Sequence, residues 1–234
     1  MATEYNTPKI VIDNLVLCLD AANTKSYPGS GTWNDISGKG HTVTINGATH
    51  NPDKGGCFIF DGANDYATIT DSSDFLFGTG SFTEEAWHKS DGNNMWKAPI
   101  TRGNEASWGG LWISTTNKIY PYHYTESSGA VTLNTGVEAG TDWMHHMTTT
   151  TNTGSSVTIK VYINGVLIDS GSNSVSGWQP KITSVGTDIH IGGISGESHW
   201  YDGKIGLIRI YKGKALSAAE VKQNFDATKS RFLL

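Results

Sequence analysis

The chain has 234 residues, 28 glycines, only 17% charged side chains and a formal net charge of −5. That length suits one all-β domain as well as two smaller units, and the glycine-rich, charge-poor composition favours many short strands joined by tight turns over a helical protein. The acidic balance leaves no basic face for nucleic acid or an anionic membrane surface, and no apolar run approaches the roughly 18 residues of a membrane span.

In chain order, residues 1–14 form an N-terminal extension and possible anchor. Its apolar run Ile10-Val11-Ile12 and single lysine are too little for a secretory signal, so a protein made without a signal peptide is expected. A single domain is expected over residues 15–234. Leu15-Val16-Leu17-Cys18-Leu19 reads as a strand covered on both faces and ends at Asp20. A turn-rich loop follows to Gly40, and Val43-Thr44-Ile45 runs into an Asn46-Gly47 pair that predicts a small hairpin. Cys57-Phe58-Ile59-Phe60 is the next strand. Cys18 and Cys57 both lie in apolar runs and are read as buried free thiols in preference to a disulfide.

Further strands are expected at Ser81–Lys89, Leu111–Ser114, Ile119–Tyr124 and Trp143–Thr150. The strongest local signal is Val157 to Ile168. Val157, Ile159, Val161 and Ile163 share one face, Thr158, Lys160 and Tyr162 the other, and Asn164-Gly165 supplies the positive φ angles of a type I′ turn. Strands at Asp188–Gly192 and Lys204–Tyr211 precede one C-terminal helix, in which Ser217 and Glu220 make a capping box and Val221 and Phe225 share a face. The pattern predicts an all-β, two-sheet antiparallel sandwich with that single short helix.

Four segments resemble the laminin-G-like, concanavalin A-like jelly-roll family: Phe60-Asp61-Gly62-Ala63-Asn64-Asp65-Tyr66, Tyr162-Ile163-Asn164-Gly165-Val166-Leu167, Ile189-His190-Ile191-Gly192-Gly193, and Asp202 to Tyr211 with Ala215 to Val221. The opening from Leu17 to Trp33 with Asp35 to Gly38, and the end from Glu220 to Phe232, resemble laminin-G-like domains of tailed-bacteriophage virion proteins. The chain departs from the family at Gly206, where an Asp is common before the closing strand, and at Trp143-Met144-His145-His146-Met147, where a Trp-His-His-Val run is usual. The resemblance implies a non-enzymatic decoration protein on a virion surface, with capsid or tail proteins as partners and host surface polysaccharide as a further one. A lectin-like carbohydrate-binding module is the alternative, and a glycan-cleaving enzyme a remote one. Residues 1–14 and the Ser230-Arg231-Phe232-Leu233-Leu234 end are candidate anchors, unless the latter packs back on its own sandwich.

Several side chains carry candidate chemistry. Jelly-roll glucanases place an acid and a nucleophile on one cleft-facing side of a strand. Glu84-Glu85 is the nearest pair, but neighbours on a strand point to opposite faces, so one is expected to be buried against a partner and the other solvated. The same geometry expects one of His145 and His146 packed and one exposed, not both on one metal ion. Asp61, Asp65 and Asp202 are calcium candidates, Asp61 and Asp202 each beside a glycine; the alternative is that Asp61 and Asp202 simply cap turns. No cofactor is required. Trp108, Trp112, Tyr120, Tyr122 and Tyr124 would form an aromatic platform for sugar rings if they are not core residues.

Overall fold

The structure, a computed structural model, describes residues 9–91, 96–102, 109–125, 129–173, 188–193 and 199–233. The first seven strands are β1 (Leu15–Asp20), β2 (Trp33–Asn34), β3 (Thr42–Asn46), β4 (Thr49–Asn51), β5 (Cys57–Asp61), β6 (Tyr66–Ile69) and β7 (Phe82–Ser90). Then come β8 (Ile100–Arg102), β9 (Gly109–Gly110), β10 (Tyr122–Thr125), β11 (Gly129–Thr132) and β12 (Met144–Asn152). The chain closes with β13 (Val157–Ile163), β14 (Val166–Asn173), β15 (Ile189–Ile191), β16 (Asp202–Lys212) and helix α1 (Ala218–Leu233).

All pairings are antiparallel and fall into two sheets. The first runs β14-β13-β12-β7-β16-β5-β4, with β1 beside β5 on the same flank of the long β16; the second runs β11-β10-β9-β8-β15-β6-β3-β2. Alternation explains the core between them. Val157, Ile159, Val161 and Ile163 of β13 meet Val43, Ile69, Ile100, Ile189 and Ile191 of the second sheet in one apolar cluster. The two-sheet sandwich expected from the sequence is therefore the observed fold.

The Asn164-Gly165 turn has φ of 51° and 76°, as a tight hairpin requires. The Asn46-Gly47 pair does something else. Only Gly47 has positive φ, and β3 and β4 pair in different sheets, so this is a corner where the chain changes layer and not a hairpin. A Cβ on Gly47 would stand 2.0 Å from Asp65 Oδ1, so the corner is packed against that carboxylate. The expected strands at 111–114 and 119–124 are also shorter. Lone bridges join Ile113 to Lys97 and Ile119, and a regular strand starts only at Tyr122, after Pro121, whose nitrogen has no hydrogen to donate.

The capping box forms as expected: the Glu220 amide donates to Ser217 Oγ at 3.3 Å and the Ser217 amide to Glu220 Oε2 at 2.9 Å. The helix lies on the outer face of the first sheet. There Phe232 stacks on Trp87 with ring centroids 4.4 Å apart and meets Trp143 at 4.9 Å. Gly206 makes this possible, because a Cβ there would come within 2.7 Å of the Phe232 ring. Arg231 donates to the Lys54, Gly56 and Gly206 carbonyls and to Asp20. The Phe232 end thus packs back on its own sandwich. Val11 is likewise held, its amide by Asn224 Oδ1 at 2.8 Å and its carbonyl by the Tyr211 hydroxyl at 2.9 Å. Both cysteines are buried and free.

Phe232 closes a stack rather than a yielding surface, so Phe232→Ala is expected to cost about 3–5 kcal/mol. Urea unfolding checks this; a loss under about 1 kcal/mol would mean that the helix end is not docked in solution.

Candidate functional site

The centre of the first sheet is covered on both faces, which overturns two expectations. Glu84 and Glu85 do point to opposite faces, but neither is solvated: both are buried. Glu85 lies beneath the helix and accepts from Arg209 at 2.7 Å and Asn224 at 2.8 Å, with His145 Nε2 at 3.0 Å. Burial alone would raise its pKa, but Arg209 first and then His145 and Asn224 outweigh that and hold it below the usual carboxylate range. Glu84 points between the sheets, where burial pushes its pKa up to about 8, with Arg102 only partly offsetting. His123 Nε2 lies 3.7 Å away, and Arg102 is itself paired with Asp71 at 3.1 Å.

Both neighbouring histidines are buried too, His145 on the helix side and His146 between the sheets. His146 packs near His88, ring centroids 5.6 Å apart, and His88 Nδ1 meets the Tyr201 hydroxyl at 2.8 Å. Burial drives the pKa of His88 down to about 3 and of His123 to about 4, and puts His146 well below its ordinary value. These are neutral imidazoles in a sandwich interior. Glu84 is only 5% exposed. Among the described residues no three His, Cys, Asp or Glu converge on one metal position.

The three aspartates gather at one end of the sandwich. Asp61 and Asp202 are register partners on β5 and β16, and Asp65 Oδ2 accepts the Asp61 amide at 3.1 Å. Asp61 Oδ1 accepts from the Ala63 and Asn64 amides, which cap the turn and hold its pKa below the usual range. Asp65 and Asp202 are raised, each by burial first and then by a neighbouring carboxylate.

The outer face of the second sheet has a different character. Leu111, Ile113 and Ile119 face the core, so Trp112 and Tyr120 must face away, and Tyr122 lies opposite in parity to the buried His123. The Tyr120 and Tyr122 rings lie 6.4 Å apart and tilted by only 26°, with Trp96 edge-on to Tyr120 at 5.2 Å and to Trp112 at 6.4 Å. Trp112 is buried as the floor of this group, not exposed as part of a platform. Tyr124 occupies β10, and Trp108 lies outside the described residues. His199 extends the group, edge-on to Trp112 at 5.7 Å, and the next residue, Trp200, reaches Tyr66 at 6.1 Å. Trp96, Tyr66, His199 and Trp200 were not singled out from the sequence. Only Tyr66 carried a signal there, being out of phase with the core residues Ala67 and Ile69.

A transverse row crosses this face in register: Thr44, Thr68, His190, Thr101, Gly110, Tyr122 and Thr132. The face thus combines aromatic rings with hydroxyls and an imidazole, the mixture suited to ligands with alternating apolar and hydroxyl-rich surfaces.

The family model for the concanavalin A-like lectin/glucanase superfamily matches residues 61–222. The chain belongs to that superfamily. No curated protein matches it in sequence. Among solved structures, the binding domain of Paraclostridial Mosquitocidal Protein 1 superposes with a TM-score of 0.68 at 15% identity, covering 92% of this chain and 52% of that one. This superfamily member therefore spans about half the length of that neighbour. Domain 4 of the arabinanase AbnA from Geobacillus stearothermophilus, solved with arabinotriose, gives 0.65 at 19% identity and 90% and 98% coverage. The binding domain of botulinum neurotoxin DC, solved with SialylT, gives 0.64 at 16% identity and 93% and 52% coverage.

The buried titrating groups of this superfamily member set its pH response. Unfolding lets His88, His123 and His146 regain ordinary values near 6.5, so stability is expected to fall as pH drops below about 6.5. Glu84 acts in the opposite sense. The folded chain keeps its proton up to about pH 8 while the unfolded chain releases it near 4.5, so that contribution is full below about 4.5 and lost as pH rises to about 8. Glu84→Gln should flatten the decline between about pH 6.5 and 8 and keep the acid one, read from urea midpoints across the range. Equal alkaline slopes in both proteins would show that Glu84 is ionised in the fold.

Proposed function

We propose that the protein is a non-catalytic carbohydrate-binding sandwich that takes glycan on the outer face of its second sheet. One observation carries the reading. Among the described Trp and Tyr side chains six are partly exposed, and five of these, Trp96, Tyr66, Tyr120, Tyr122 and Trp200, lie on that face; Tyr27 alone lies elsewhere. Rings that stay out of a core with room for Trp33, Trp87 and Tyr201 offer flat apolar area to the CH faces of sugars. Superfamily membership and the arabinotriose held by the arabinanase domain support the same reading. The opposite sheet offers less, since α1 covers its outer face.

The resemblance of the opening and closing segments supports a finer version, in which this module decorates a tailed-phage capsid or tail and meets host polysaccharide. Co-sedimentation with purified particles together with a blank glycan array would favour attachment alone.

Glycan-array screening followed by calorimetry tests the main reading. Trp96→Ala and Tyr122→Ala are each expected to weaken binding by about tenfold or more, the scale of one lost ring contact, with unfolding midpoints little changed. Wild-type affinity in both variants would remove the site from this face. Rings and hydroxyls need no metal, so EDTA should leave binding unchanged. A loss in EDTA restored by calcium would instead give Asp61, Asp65 and Asp202 a direct part.

A further inference from the structure

The aromatic groups on the second sheet are not one patch but two, joined by a dipeptide. Tyr120 and Tyr122 stand at the β10 flank with Trp96, from the segment before β8, edge-on to Tyr120, and Tyr66 with Trp200 at the β6 flank; His199 contacts the floor of the first group while Trp200 belongs to the second. From β6 to β10 the order is β6-β15-β8-β9-β10, four strand spacings, or about 19 Å. A single sugar ring cannot bridge that distance. The transverse row follows the same direction and puts the hydroxyls of Thr44 and Thr68 at one flank and of Thr132 at the other, with His190 between.

Charge narrows the ligand further. The row contains no lysine, arginine or carboxylate. Arg102 of β8 faces the interior and pairs with Asp71, while Lys118, next along from Ile119, is held by Glu138 at 2.8 Å. Among the described residues no lysine or arginine stands on the row to neutralise a carboxylate or sulfate, and the protein as a whole is acidic. Trp200 is also set firmly: a Cβ on Gly193 would come within 2.4 Å of its ring, so the indole lies directly on bare backbone. A fixed ring loses little freedom when a ligand lands on it.

Resting on the carbohydrate-binding reading, we propose that the ligand is a neutral, linear polysaccharide, bound along its length and across the strands, with one ring group at each end of the bound stretch. A terminal sugar or an acidic glycan is not what this face selects.

The test is calorimetry with neutral ladders of glucose, xylose and arabinose oligomers, from disaccharide to hexasaccharide, set against a sialylated oligosaccharide and polygalacturonate. For the ladder that binds, affinity is expected to climb by about tenfold or more from the shortest to the longest member and to change little with salt. Trp200→Ala and, separately, Tyr66→Ala should erase the gain with length and leave short-oligomer binding at the Tyr120–Tyr122 flank intact, with near-ultraviolet circular dichroism confirming the fold. Equal affinity for short and long members, or tighter, salt-sensitive binding of the acidic polymers, would overturn the proposal and leave the carbohydrate-binding reading standing. Absence of binding to every glycan would overturn both.

Discussion

The Glu85 carboxylate, buried beneath the helix, is the constraint from which the rest of the molecule follows. A charge taken out of water is tolerated only when donors surround it, and here they come from three elements besides its own strand: Arg209 on β16, His145 on β12 and Asn224 on α1. Asn224 also bonds the Tyr211 hydroxyl and the Val11 amide. Sliding any one of these elements by a residue would strand the charge, at a cost of several kcal/mol. The network therefore specifies one register for the sheet centre and one seat for the helix, whatever its net contribution to stability.

That seat divides the two sheets by role. The helix approaches closely because two positions lack side chains: a Cβ on Gly165 would meet Phe225 at 2.9 Å and one on Gly206 would meet Phe232 at 2.7 Å. Gly206 is also where the β16–β7 register shifts. The missing side chain at Gly206 opens the socket for Phe232. With its outer face occupied, the first sheet becomes an interior layer, which is why Glu85, His145 and Tyr162 are buried although their strand parity points away from the sandwich core.

This explains which features the sequence could disclose. The Asn164-Gly165 hairpin, the Ser217–Glu220 cap and the alternation of β13 are local, set by the dihedral preferences and periodicity of a few neighbouring residues. Parity puts Tyr120, Tyr122 and Tyr124 on one strand face, and the Tyr120 and Tyr122 rings lie side by side there. Burial of both Glu84 and Glu85 was not legible, because it depends on a helix that begins more than a hundred residues later. Nor was the Asn46-Gly47 corner, since the choice between folding back and changing sheets lies with distant partners of β3 and β4. Trp96, His199 and Trp200 occupy irregular segments with no period to read, and only tertiary contact joins them to Tyr120 and Tyr66.

The distribution of polar and aromatic groups carries the last step. Neutral Glu84, His88, His123 and His146 sit between the sheets, where apolar side chains would pack with less desolvation. Five partly exposed rings remain on the outer face of the second sheet, where hydrophobic burial alone would have drawn them in. Neither feature lowers the free energy of the isolated fold. The exposed rings nevertheless brace one another, Trp96 edge-on to Tyr120 and Tyr66 tilted against Trp200, and Trp200 rests on the Gly193 backbone, so their positions are set before any ligand arrives. An apolar surface that is held rigid yet left uncovered gains its stabilisation only when something flat and partly apolar covers it. Among the described Trp and Tyr rings that incompleteness is concentrated on the face the helix leaves open, which is what supports the proposed binding role.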